Sequence, residues 1–136
     1  MDIPTYLKYS KDHEWANYDE DEGIIIIGIT DYAQDKIGDI TYVELPEEGD
    51  EAEKGASLCE IEHHKGVEEV YSPASGRVFE INGGLSEAPE LLNRDPYDEG
   101  WLVKVEPTDL TELEDLMGAD EYKEYISGLE EEEEEA

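Results

Sequence analysis

The stretch from Leu58 to Pro73 constrains the fold more than any other part of the chain. Leu58, Glu60 and Glu62 alternate with Cys59 and Ile61, the period-two pattern of a half-buried strand. Val67 to Tyr71 resumes strand-forming residues, and Pro73 ends the run because proline cannot donate to a sheet ladder. Between the two runs, His63 to Gly66 fits a type I turn, with Lys65 third and Gly66 last. Cys59 and Ile61 then share the inward face. Lys65 stands near the tip of a rigid hairpin with its amine in water, where an enzyme can reach and modify it.

Other short runs repeat this pattern between glycine and proline turns. Tyr6 to Tyr9, Ile24 to Ile29, Ile40 to Leu45, Arg77 to Asn82 and Trp101 to Val105 read as strands. Thr30 is placed to cap a short helix over 31–37, with Gly38 at its stop. Leu110, Leu113, Leu116 and Met117 recur at helical spacing behind Thr108 and Asp109. Tyr122, Tyr125, Ile126 and Leu129 form a second helical patch. The expected fold is all-β with minor α, a small β-sandwich or flattened barrel with C-terminal helices, built from residues 1–129 as one domain. Residues 130–136 have nothing to bury and are expected to be disordered.

The net charge of −31 excludes several classes of partner. Removing the six glutamates Glu130 to Glu135 still leaves −25, so the acidity belongs to the domain itself. No basic stripe exists to neutralise phosphates, so nucleic acid is not an expected partner. Acidity this evenly spread points to a high-salt cytoplasm and a halophilic prokaryote, since salt would screen the self-repulsion. No apolar run approaches the roughly 20 residues of a membrane helix. The start of the chain lacks the basic, apolar look of a signal region and the Arg-rich look of a transit peptide, which makes a cytoplasmic location the expectation. The single cysteine cannot form an internal disulfide and is expected to be buried. Trp15 and Trp101 are expected in the core. His63 and His64 are expected as exposed turn residues. Two adjacent turn positions do not converge on one centre, and spacing places no third or fourth ligand, so no metal is expected.

Glu60-Ile61-Glu62-x-x-Lys65-x-Val67, followed by Tyr71-Ser72-Pro73-x-Ser75-Gly76, resembles the lipoylation site of the glycine cleavage system H-protein family. Further blocks occur in the family's order. They include His13-Glu14-Trp15, Gly28-Ile29-Thr30-Asp31-Tyr32-Ala33-Gln34, Gly38-Asp39-Ile40, Val43-Glu44-Leu45-Pro46, Glu90-Leu91-Leu92-Asn93, Asp95-Pro96-Tyr97 and Gly100-Trp101-Leu102. Together they cover residues 6–126. The chain departs from the family around the lysine, where His63, His64 and Gly66 replace the usual Ser, Val and Ala.

The resemblance implies a lipoyl-domain fold, a hybrid-motif sandwich, and lipoate attached covalently to Lys65. It implies a carrier and not an enzyme. The implied partners are a pyridoxal-phosphate glycine decarboxylase, a tetrahydrofolate-dependent aminomethyltransferase, a flavin dihydrolipoyl dehydrogenase that reduces NAD, and a lipoate-attaching enzyme. The carrier itself is expected to be a monomer with no membrane or nucleic-acid partner. Glu14 matches a family glutamate that meets the amine of the loaded arm in a surface cleft, and Glu69 and Asp12 are further candidates for that cleft. Three alternatives stay open. A biotin carrier usually has methionines beside its lysine, and this chain has only Met1 and Met117. A lipoyl domain of a 2-oxoacid dehydrogenase normally sits on a longer chain with Ala- and Pro-rich linkers. The third is an H-like protein that is not lipoylated, or that serves lipoate assembly or signalling.

Overall fold

The computed structural model describes residues 1–135. Its strands fall into two sheets in which every pairing is antiparallel. The first four strands are β1 (Lys8–Tyr9), β2 (Glu14–Asp19), β3 (Ile24–Ile29) and β4 (Ile40–Glu44). They are followed by β5 (Glu51–Ala52), β6 (Ser57–His63), β7 (Gly66–Tyr71), β8 (Gly76–Ile81) and β9 (Val103–Pro107). Three α-helices among the described residues complete the fold, α1 (Asp31–Ile37), α2 (Leu91–Arg94) and α3 (Ala119–Glu135), with two short 3-10 segments at Gly83–Ser86 and Leu110–Asp115. The larger sheet has the order β1-β2-β3-β9-β8-β5, and the smaller has β4-β6-β7.

Alternation decides which side chains meet between the sheets. Ile25 and Ile27 of β3, Val103 and Val105 of β9, and Cys59, Ile61 and Val70 of the smaller sheet form one buried cluster. Burying each aliphatic side chain is worth about 1.5–3 kcal/mol. Cys59 is inward beside Ile61 as its spacing predicts, and burial pushes its thiol up to about 12. A second cluster lies on the other face of the larger sheet, where Tyr9 and Trp15 meet Tyr122 and Ile126 of α3. There the Trp15 ring covers Gly28, its cross-strand partner, and its indole N–H donates to Pro96 O at 3.0 Å. Trp101 departs from the expected core position: it is half-buried, with Lys104 Nζ 4.9 Å from its ring centroid.

Gly76 has no room for a side chain. A Cβ there would lie 2.1 Å from the Glu106 carbonyl oxygen and 2.6 Å from Val105 Cγ1. Gly76→Ala must push β8 off β9, and a loss of about 2–3 kcal/mol is expected in thermal or urea melts. Wild-type stability in this variant would show that the strands part freely.

Thr30 caps α1 as expected, its hydroxyl accepting from the Ala33 N–H at 3.2 Å, and Gly38 closes the helix at φ +82°. Two C-terminal expectations need correction. The periodic stretch after Asp109 forms a 3-10 turn over Leu110–Asp115, not an α-helix. Long-range bonds win there. The Glu112 carboxylate accepts from Ser75 N–H and Oγ, and Met117 exchanges both backbone hydrogen bonds with Tyr9 at 2.8 Å, which draws the chain into a strand-like path. Residues 130–135 of the 130–136 segment expected to be disordered continue α3 to Glu135, and Ala136 lies outside the described residues. A helix already nucleated by packed turns extends at small cost per residue, and Glu133 gains an ion pair with Lys36 Nζ at 3.0 Å.

Nine basic side chains cannot neutralise forty carboxylates. Self-repulsion of this size is screened within roughly 10 Å at 0.1 M salt and within about 3 Å at 1 M. The melting temperature is therefore expected to rise steadily from dilute buffer to molar salt. Circular dichroism melts that do not move with salt would contradict this.

Candidate functional site

The lysine hairpin forms as its local pattern predicts. β6 and β7 are joined by His64 and Lys65 alone, with His63 and Gly66 as the closing pair. Gly66 has φ +155°, which is open to glycine and strained for other residues. The Lys65 side chain is exposed. His63 corrects the expectation of two exposed histidines. Its imidazole is only 9 % exposed, Nδ1 accepts from the Lys65 N–H at 3.3 Å, and Nε2 lies 3.5 Å from the Glu68 carboxylate. The ring thus braces the turn from beneath, while His64 stays in solvent. Among the described residues, no three His, Cys, Asp or Glu side chains converge as a metal site.

From the tip, β7 leads to a cleft of about 210 Å³. One wall is Asp12, His13 and Glu14 at the start of β2. The second is Tyr32, Ala33 and Lys36 of α1, and the third is Glu68, Glu69 and Val70 of β7. The three acids singled out in the sequence, Glu14, Glu69 and Asp12, therefore border one cavity. Lys65 lies outside it, about 13 Å up the strand from Glu69 at the usual rise per residue. A lysine side chain lengthened by a lipoyl chain covers that span. The cavity's apolar wall, with Ile29, Ala33, Ile37 and Val70, and its buried carboxyl suit an apolar chain with a cationic end.

Glu14 is the unusual group. It is 3 % exposed, although it is one of the chain's many acids. Ser10 Oγ donates to its Oε1 at 2.6 Å, and the Tyr71 N–H donates to its Oε2 at 3.4 Å. Burial pushes the carboxyl up to about 7, the charge of Asp12 adds to this, and the two hydrogen bonds oppose it. Glu69 sits at the solvent edge and accepts from Tyr71 OH at 3.2 Å. Sequence reasoning gave no role at the cleft to Lys36, Tyr32, His13 or Ser10. Lys36 and Tyr32 reach the cleft by the packing of α1 against the start of β2, His13 lines it beside Glu14, and Ser10 supports the Glu14 carboxyl from outside the lining. The one available signal was adjacency: His13 precedes Glu14, and Lys36 lies on the helix that Thr30 caps.

The glycine cleavage H-protein family model matches residues 7–129. The probable glycine cleavage system H protein of Thermococcus kodakarensis is 55% identical over 124 residues, covering 90% of this chain and 91% of the relative. The glycine cleavage system H protein of an Anaeromyxobacter species (strain K) is 48% identical over 126 residues, covering 93% and 97%. The crystal structure of a glycine cleavage system H protein from Mycobacterium marinum superposes with a TM-score of 0.84 at 35% identity, covering 92% of this chain and 99% of that one. These relatives come from thermophiles and from bacteria and lend no support to a halophilic source. Among the described residues no helix is long and apolar enough to cross a membrane. The chain belongs to the glycine cleavage H-protein family: it is a lipoyl carrier subunit of the glycine cleavage system and not itself an enzyme.

Proposed function

We propose that Lys65 is the lipoyl attachment site and that Glu14, with Glu69 at the rim, receives the cationic end of the arm in the cleft. The observation that carries this reading is the placement of an exposed lysine at the tip of a braced hairpin whose outgoing strand forms a wall of the cavity holding Glu14. When bound, the lipoyl dithiolane supplies the thiol–disulfide couple by which an aminomethyl group passes, in the cytoplasm, from a pyridoxal-phosphate glycine decarboxylase to a tetrahydrofolate-dependent aminomethyltransferase before a dihydrolipoyl dehydrogenase resets the couple.

The residues of this chain do three things in that cycle. The hairpin offers the Lys65 amine to the lipoate-attaching enzyme on a base too stiff to fold back. Ile29, Ala33, Ile37 and Val70 give the cleft an apolar wall that excludes water. Glu14 holds or releases a proton according to its guest. Without a cation the buried carboxyl keeps its proton to about pH 7. An ammonium group in the cleft favours the carboxylate, so the proton leaves Glu14 and a charge-assisted hydrogen bond replaces it. A neutral guest gains nothing comparable, which makes the cleft selective for a cationic arm.

Intact-mass measurement of the protein from its native host tests the reading. One lipoyl-sized increment is expected. An unmodified mass while the host degrades glycine would favour the unlipoylated alternative, and a biotin-sized increment would overturn the cofactor.

A further inference from the structure

We infer that the Tyr122 hydroxyl is a positioning group that fastens two walls of the Glu14 cleft together, so that α3 sets the geometry of the carboxyl. This rests on the reading of the cleft given above. Tyr122 is fully buried, and its ring stacks on Tyr9 with centroids 4.6 Å apart and planes within 2°. The ring contact alone would serve packing. The hydroxyl does something else: it lies 2.9 Å from His13 Nδ1 and 2.7 Å from Thr30 Oγ1.

Those two partners govern different walls. Thr30 Oγ1 also accepts from the Ala33 N–H at 3.2 Å and so sets the start of α1. Among the described residues His13 is the one non-glycine held at positive φ, +70°. Its N–H donates to Ser10 O at 3.1 Å, and its carbonyl accepts from the Thr30 N–H at 3.0 Å. Ser10 in turn donates to Glu14 Oε1 and accepts from the Glu14 N–H at 3.0 Å. The path from α3 to the carboxyl therefore runs Tyr122, His13, Ser10, Glu14, with a side branch through Thr30 to α1.

The proton count closes for a neutral imidazole. Tyr122 can donate to His13 Nδ1 while accepting from Thr30, or accept from His13 while donating to Thr30. Burial holds His13 below its ordinary range, which keeps it neutral near pH 7, although the charge of Asp12 opposes this. A loss of the hydroxyl would leave the 10–14 turn tied to the start of α1 by the His13 carbonyl–Thr30 N–H bond alone, loosening the His13 ring and letting water reach Glu14. A purely structural Tyr122 would lower stability without moving the Glu14 titration.

Carbon-detected NMR titration of Glu14 in the unmodified full chain separates these outcomes. Asp12, Lys36, Glu68 and Glu69 also face this cleft and stay unchanged throughout. Tyr122→Phe keeps the stack on Tyr9. Its Glu14 midpoint is expected to fall by about one pH unit from the wild-type value, with amide exchange at Thr30 and Ala33 about tenfold faster. Tyr125→Phe is expected to leave the Glu14 midpoint in place, since its hydroxyl bonds only the exposed Lys11 carbonyl. An unmoved midpoint in Tyr122→Phe, or a wild-type midpoint in the ordinary glutamate range, overturns the inference.

Should Tyr122→Phe not fold, His13→Asn and His13→Ala put the same question. Asparagine tolerates the left-handed backbone and offers Tyr122 an acceptor. Asn is expected to hold the midpoint and Ala to lower it; equal midpoints overturn the inference. None of these readouts needs a lipoyl group. A bare Lys65 would sink the carrier reading alone, and an unmoved Glu14 in a lipoylated protein would sink the positioning role alone.

Discussion

Glu14→Gln is expected to flatten the fall in stability of this protein between about pH 4.5 and 7. The folded carboxyl titrates near 7 against an ordinary value of 4.5, raised first by burial. Between those values the folded state holds a proton that the unfolded chain has released. Unfolding then releases a proton, and stability falls as pH rises through that window. Once pH passes 7, the native state carries the full cost of an ionised, buried carboxylate, on the order of 3 kcal/mol. Glutamine never ionises and so escapes that cost. It keeps an acceptor for Ser10 but turns an amide toward the Tyr71 N–H, which returns about 1 kcal/mol of the gain.

Urea melts of both proteins at pH 5 and pH 8 measure this directly. The comparison must be between variants, because the other carboxylates repel one another more as pH rises. Parallel pH profiles would show that Glu14 is not strained in the fold. The same substitution should weaken retention of a cationic arm in the cleft, since an amide cannot become a carboxylate. A buried acid that costs stability at neutral pH and is offset further by an arriving cation is the pattern expected of a binding group.

Lys65→Arg is expected to abolish the lipoyl mass increment completely while leaving stability within about 0.5 kcal/mol of wild type. Arginine keeps the charge, the exposure and the hairpin position. Its guanidinium stays protonated and offers no neutral amine to an acyl donor. A surviving increment in the variant would place the group on another lysine and undo the site assignment. A marked loss of stability would show that Lys65 does structural work at the turn, which its exposed side chain gives no reason to expect.

Features set by near neighbours are legible in the amino-acid order. The β6–β7 hairpin needs only alternation and a turn-compatible His63 to Gly66, all within a few residues. Helix α1 needs only Thr30 and Gly38. Features set by distant partners are not legible in this way. The stretch after Asp109 has helical spacing, yet Ser75 and Tyr9 claim its hydrogen bonds from across the fold. His63 shows that near neighbours can also mislead: its partners Lys65 and Glu68 lie within five residues, yet the ring tucks against them only once the hairpin has closed. Glu14 stands out by family pattern alone; Asp12 nearby adds to its proton affinity, but the main cause is burial, which no neighbour along the chain signals.

Local spacing thus determined seven of the nine strands among the described residues and where the lysine stands, because a period of two and a short turn leave one register; β2 and β5 were not legible in it and take their places by pairing with β3 and β8. Tertiary structure alone decided that β7, α1 and the 10–14 turn enclose Glu14, that Lys36 and His13 join it, and that a phenol on α3 ties them together. The physical reason is solvent. A carboxyl or hydroxyl in an open chain meets water and behaves ordinarily, and only the packing of remote elements removes that water and changes what the group can do.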